Sequence, residues 1–315
     1  MIDAREAARQ WYAMGCRYDL VDGDCLGAIE AYGESIRNDD TNADAYVNLG
    51  FVYLEQEKYD EALRCFRRVI ELEPGKVDAF NNVGYVYEKM DRLTSARRMY
   101  EQALKLDPNN MEAIINIAHI LDMEGDYFGA VKQYYEARQV YPEAIAPRFC
   151  LAVLYDRHDM FDEAIQEYRS VLDRDPVHVK AMFNLSNLYI QLGRYDEALN
   201  LLKLLLELDP DNADAWNNIG TLYEEQGQIE RAMGAWERGL ELNPMQEETN
   251  INLARVQYAL WKSTSTSFRK DDIIDRLNFI LSFHPKSEQA KKLLEAVTRV
   301  EPHPHVSSKP VASKV

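Results

Sequence analysis

Residues 77–110 read VDAFNNVGYVYEKMDRLTSARRMYEQALKLDPNN, and this stretch decides the fold. Phe80, Val83, Gly84 and Tyr87 stand at places 4, 7, 8 and 11, an i, i+3, i+4, i+7 spacing that lines one face of an α-helix. Ala96, Tyr100 and Ala103 follow at places 20, 24 and 27, again one helical face, and Pro108 at place 32 ends the second helix because it lacks an N–H. Small residues at places 8 and 20 let the two helices approach closely.

The pattern restarts every 34 residues, at Arg9, Ala43, Val77, Met111, Ile145, Val179, Ala213 and Glu247. The second unit gives Tyr46, Leu49, Gly50, Tyr53, Ala62, Phe66, Val69 and Pro74; the seventh gives Trp216, Ile219, Gly220, Tyr223, Ala232, Trp236, Gly239 and Pro244. Turn-prone segments such as Glu124-Gly125-Asp126 and Leu192-Gly193-Arg194 separate the helices. Each unit is therefore predicted to be helix, turn, helix, turn. The same register puts Tyr12, Cys16 and Asp19 at places 4, 8 and 11 of the first unit. It also puts Arg148 at place 4 of the fifth, where a large apolar residue is the rule. A single hairpin buries too little apolar surface to offset the ordering of its backbone, so stability must come from stacking of neighbours.

This series of residues resembles the tetratricopeptide repeat family over roughly residues 9 to 285. The resemblance implies an all-α, right-handed superhelical solenoid of eight 34-residue helix-turn-helix repeats. The expected organisation is an array over 1–285, a capping helix over 286–300 and a mobile tail over 301–315. The eighth repeat carries a lengthened turn at Ser263-Thr264-Ser265-Thr266-Ser267. The cap follows from Ala290, Leu293, Leu294 and Val297 alternating at helical spacing with Lys291, Lys292 and Glu295.

Function has to be read from the other side of each first helix, where places 2, 5, 6, 9 and 13 lie. In the family this stripe lines the concave surface. Place 6 holds Asn48, Asn82, Asn116, Asn184, Asn218 and Asn252, interrupted by Cys150 in the fifth unit. A carboxamide presents an acceptor and two donors in one plane, matching the C=O and N–H of a peptide bond, so the row is a candidate ladder for the backbone of a bound polypeptide. Phe51, Tyr85, Phe149 and Phe183 are the candidate apolar anchors beside it, with Asn187 as a further polar contact. Acidic residues on the stripe, among them Asp44, Asp78, Glu112, Asp122, Asp156, Asp214, Glu224, Glu225 and Glu248, outnumber Arg17, Lys89, Arg157, Lys180 and Arg255. The expected partner is a protein or peptide segment that is basic or amphipathic. The alternative is a structural homo-oligomer assembled through the aromatic inner face or the terminal repeats.

The carboxylate clamp by which some family members bind the acidic tails of heat-shock chaperones needs Lys and Arg at fixed places in three consecutive units. Lys180, Asn184 and Asn187 supply fragments of it, but Phe183 and Asp214 occupy two of the places it requires. No adaptor role of that kind is expected.

Net charge is −17 and the pI about 4.9, which argues against nucleic-acid and anionic-membrane partners. No apolar run is long enough to insert in a membrane, and the first six residues do not read as a secretory signal, so the expected compartment is cytoplasmic. Neither a phosphate-binding glycine loop, a nucleophile motif nor a metal-spaced His/Cys set occurs. No enzymatic activity, cofactor or metal is expected, and Cys16, Cys25, Cys65 and Cys150 read as reduced thiols.

Overall fold

The computed structural model describes residues 3–263 and 268–300, and every described regular element is helical. Most of the lengthened turn of the last repeat and the expected tail lie outside those residues. The chain divides into two compact units, ending and starting at Glu167 and Tyr168.

In the first unit, helices α1 (Ala4–Arg17) and α2 (Cys25–Asn38) form a hairpin. They are followed by α3 (Ala43–Glu55) with α4 (Tyr59–Leu72), α5 (Val77–Lys89) with α6 (Leu93–Leu106), α7 (Met111–Met123) with α8 (Tyr127–Val140), and then α9 (Ala146–Arg157). The second helix of each hairpin packs on the first helix of the next. Helix α10 (Phe161–Arg174) contains the division. In the second unit, α11 (Val179–Gln191) pairs with α12 (Tyr195–Leu208) and α13 (Ala213–Glu225) with α14 (Ile229–Leu242). Helices α15 (Glu247–Lys262), α16 (Lys270–Phe283) and α17 (Glu288–Arg299) close the series.

Local chemistry explains the boundaries. Asn42, Asn110 and Asn212 each accept the backbone N–H three residues on, capping α3, α7 and α13. Between the helices of a hairpin, place 15 adopts a left-handed conformation that ends the first helix and redirects the chain. Gly23, Gly125, Gly193 and Gly227 take it at no steric cost, whereas Glu57, Asp91 and Asp159 take it despite a side chain. Helix α17 begins at Ser287, whose hydroxyl accepts from Ala290 N, and buries Ala290 and Val297 while Lys292 and Glu295 stay exposed.

The core repeats one contact. The Cα of Gly50 lies against the ring of Phe66, Gly84 against Tyr100 and Gly220 against Trp236, so close that an added Cβ would sit within 2.7, 2.6 and 2.4 Å of ring atoms. Gly15 has the same relation to Tyr32, at 2.5 Å. This corrects the register of the first unit: Gly15, not Cys16, fills place 8, and Trp11, Met14 and Tyr18 fill places 4, 7 and 11. One extra residue is accommodated by a π-helical turn over Tyr18–Asp22, which takes up more residues per turn than an α-helix.

Arg148, at the place where an apolar residue was expected, is accommodated by polar partners. Its guanidinium donates to Pro142 O at 2.9 Å and lies 3.9 Å from the Glu167 carboxylate, which also binds Arg138 at 2.5 Å.

Candidate functional site

All six place-6 asparagines are half-buried. Their hydrogen bonds divide them. Asn48 Nδ2 donates to Tyr12 Oη at 3.2 Å and Tyr32 Oη at 3.3 Å, with Cys16 Sγ at 3.7 Å. Asn184 Nδ2 donates to Tyr168 Oη at 3.2 Å, and Asn218 Nδ2 to Asn187 Oδ1 at 2.6 Å. The carboxamides of Asn82, Asn116 and Asn252 make no hydrogen bond among the described residues.

Place 24 of the preceding hairpin accounts for much of this division. Tyr32 and Tyr168 offer a hydroxyl to the asparagine above them. Phe66, before Asn82, has none, and Tyr100, before Asn116, turns its hydroxyl to Glu88 Oε2 at 3.2 Å instead. Trp236, before Asn252, donates its indole N–H to Asn217 O at 3.2 Å and has no acceptor to give. Sequence reasoning missed this division: the residue type at place 24 was visible, but Tyr100 and Leu202 show that type alone does not decide it.

The flanking anchors also differ from one another. Phe51 and Tyr85 are 41% and 38% exposed, the first edge-on to Phe66 with centroids 5.2 Å apart, the second beneath Lys89 Nζ at 5.0 Å. Phe149 and Phe183 are half-buried, and Asn187 is exposed. Three of the acids counted on the stripe are already paired with a base within the chain: Asp122 binds Arg157 and also meets His158 Nε2 at 2.6 Å, Glu224 binds Arg255 at 2.6 Å, and Asp44 binds Lys76 at 3.5 Å. Asp78, Glu225 and Glu248 have no ion pair among the described residues.

Where Cys150 interrupts the row, Asn116, His119, Tyr134, Phe149, Cys150 and Arg157 line a cleft of about 290 Å³ in the first unit. Burial pushes the Cys150 thiol up to about 11, as it does that of Cys65. A protonated thiol is a poor nucleophile, so both should resist iodoacetamide at pH 7.5 far better than the same cysteines in the urea-unfolded chain, as peptide mapping would show. The pH consequence has a definite sign. From about pH 9 the unfolded chain releases thiol protons that the native chain keeps until about pH 11, so stability is lost as pH rises through that window. Urea midpoints at pH 8 and pH 10.5 should show the fall, and it should shrink in a Cys65→Ala/Cys150→Ala variant.

No group of three or more His, Cys, Asp or Glu side chains placed to hold a metal occurs among the described residues. None of their helices is long and apolar enough to cross a membrane.

Sequence models of the tetratricopeptide repeat match residues 41–109, 99–132, 157–218 and 189–250, together more than half of the chain. With the hairpin stacking and the Gly-to-ring contacts above, they establish that the chain belongs to the tetratricopeptide repeat family, whose members are helical-repeat solenoids. No curated protein matches.

Among solved structures, yeast Tom70 is similar with a TM-score of 0.67 at 19% identity, over 92% of this chain and 64% of that one. The APC/C hetero-tetramer Cut9-Hcn1 gives 0.58 at 19% identity, over 88% of this chain and 55% of that one. A tetratricopeptide repeat protein from Parabacteroides merdae gives 0.57 at 19% identity, over 78% and 99%. The chain thus spans little more than half of the Cut9-Hcn1 chain, and the likeness is one of fold.

Proposed function

We propose that the protein is a non-enzymatic interaction scaffold that holds an extended or helical polypeptide segment against its place-6 stripe. The observation that carries this reading is the set of half-buried carboxamides, Asn82, Asn116 and Asn252, that no other part of the described chain satisfies. A half-buried amide with open donors and acceptor gains most from a partner that is itself an amide, and a peptide backbone supplies one at every residue. Phe51 and Tyr85 add apolar area beside the row. Asp78, Glu225 and Glu248 favour a basic or amphipathic segment. Asn48, Asn184 and Asn218, engaged within the chain, serve as positioning contacts and contribute less to binding. The cytoplasm is the proposed compartment, where the four free thiols would stay reduced.

A random peptide library displayed on phage and selected against the full-length chain supplies the probe. Replacing Asn82 and Asn116 by Ala should weaken the selected peptides about tenfold, two contacts at roughly 0.5–1.5 kcal/mol each, with helicity by circular dichroism unchanged. Unaltered affinity would remove the stripe from consideration. Asn48→Ala should have the smaller effect on binding and the larger one on stability.

A further inference from the structure

The first hairpin presents a surface that every later hairpin of its unit covers. At place 7, Leu49, Val83 and Ile117 are 7%, 1% and 6% exposed because the second helix of the preceding hairpin lies over their helix, whereas Met14 is 41% exposed. Around it, Trp11, Met14, Tyr18, Leu26 and Ala31 line a cleft of about 550 Å³ between α1 and α2. Leu26 is 74% exposed at a place where the next two hairpins carry Asp60 and Thr94. The π-helical turn of the same hairpin holds Leu20 and Val21 in solvent at 80% and 77% exposure. So much exposed apolar area within thirteen residues marks an interaction surface.

The charges identify what fits there. The charged side chains that line the cleft are Asp24 and Glu30, both acidic. Asp24 is occupied in capping α2 through Gly27 N at 3.0 Å, and Glu30 has no ion pair among the described residues. Arg17, next in sequence to Tyr18, is held by Asp22 at 3.4 Å. A second copy would bring its own net charge of −17 to this acidic rim. We propose that the open end of the first hairpin docks a basic amphipathic helix of a partner protein, seated where the second helix of one more hairpin would lie. Its apolar face covers Trp11, Met14 and Leu26, and a Lys or Arg pairs with Glu30. This surface is separate from the place-6 stripe, and the two can be tested independently.

The probe is a fluorescein-labelled synthetic helix with Leu and Ala on one face and Lys on the other, titrated against the full-length chain by anisotropy, beside a twin carrying Glu in place of Lys. An acidic protein attracts any cationic peptide weakly, so the diagnostic lies in the variants. Leu26→Glu makes the protein more acidic, yet should weaken the lysine peptide about tenfold or more because apolar contact is lost. Glu30→Lys should weaken the lysine peptide and strengthen the glutamate one. Both side chains are exposed, so circular dichroism should not change; Asn82→Ala/Asn116→Ala should leave this binding intact. Equal affinity for the two peptides, or no loss with Leu26→Glu, would overturn the proposal. So would a wild-type dimer in sedimentation that Leu26→Glu dissociates, since it would give the face to a second copy.

Discussion

Truncating Trp236 to alanine should cost about 3–5 kcal/mol of stability, among the largest losses open to a single substitution here. The indole is fully buried, on α14, and its neighbours include Ala232 of its own helix and Leu253 and Val256 of α15, with Tyr223, Ile229 and Leu260 at the edge of the cluster. It covers the bare Cα of Gly220 and donates to Asn217 O at 3.2 Å. Alanine would leave a cavity that helical backbones cannot close; Asn217 O would lose the indole donor but keep Thr221 Oγ1 at 3.2 Å, so the cost is mainly one of packing. Because the ring joins two hairpins, the loss is one of coupling as well as of local packing. Hydrogen exchange should show α15, α16 and α17 losing protection before α11 and α12, and urea unfolding should broaden. Trp236→Phe keeps most of the ring and should cost less than half as much. A loss below about 1 kcal/mol for the alanine variant would contradict this account of the core.

Replacing Glu167 by leucine should cost a comparable amount, about 3–5 kcal/mol, for an electrostatic reason. Its carboxylate lies 2.5 Å from Arg138 and 3.9 Å from Arg148, and the three side chains are only 13%, 22% and 12% exposed. Without it, two guanidinium groups remain close together and largely dehydrated with no counter-charge from that carboxylate. Glu167→Gln keeps the shape and should still lose most of the stability, which separates charge from packing. Replacing all three residues with Leu should restore much of it, since burying ions costs nearly as much as pairing them returns. Urea unfolding at low and high salt checks the burial: exposed pairs such as Arg97 with Glu101 are screened, while this one should change little. A triple variant as unstable as Glu167→Leu would refute the argument.

The legible part of the molecule was its local periodicity. Places 4, 7, 8 and 11 and places 20, 24 and 27 follow from helix geometry alone, so helix pairs, turns and the close approach of the paired helices at places 8 and 20 could be read from residues 77–110 without knowing any neighbour. The first unit misled because a strict 34-residue count cannot register one residue taken up in a π turn; the Trp11, Met14, Gly15, Tyr18 series was visible but one place out of step. The asparagine row was likewise visible as a row, but not which of its members are open.

What the sequence determined by itself is the hairpin and its repetition, since each helix is specified by side chains within a few turns of one another. Only the tertiary structure decided which carboxamides are satisfied, how Arg148 is accommodated, and that the first hairpin keeps an apolar end in solvent. Those outcomes rest on partners from the neighbouring hairpin, such as Tyr32 for Asn48 or Glu167 for Arg138, and on whether a helix lies over the face that carries Met14. Hydrogen bonds and ion pairs depend on distance and direction between helices, which the spacing of residues along one helix does not contain.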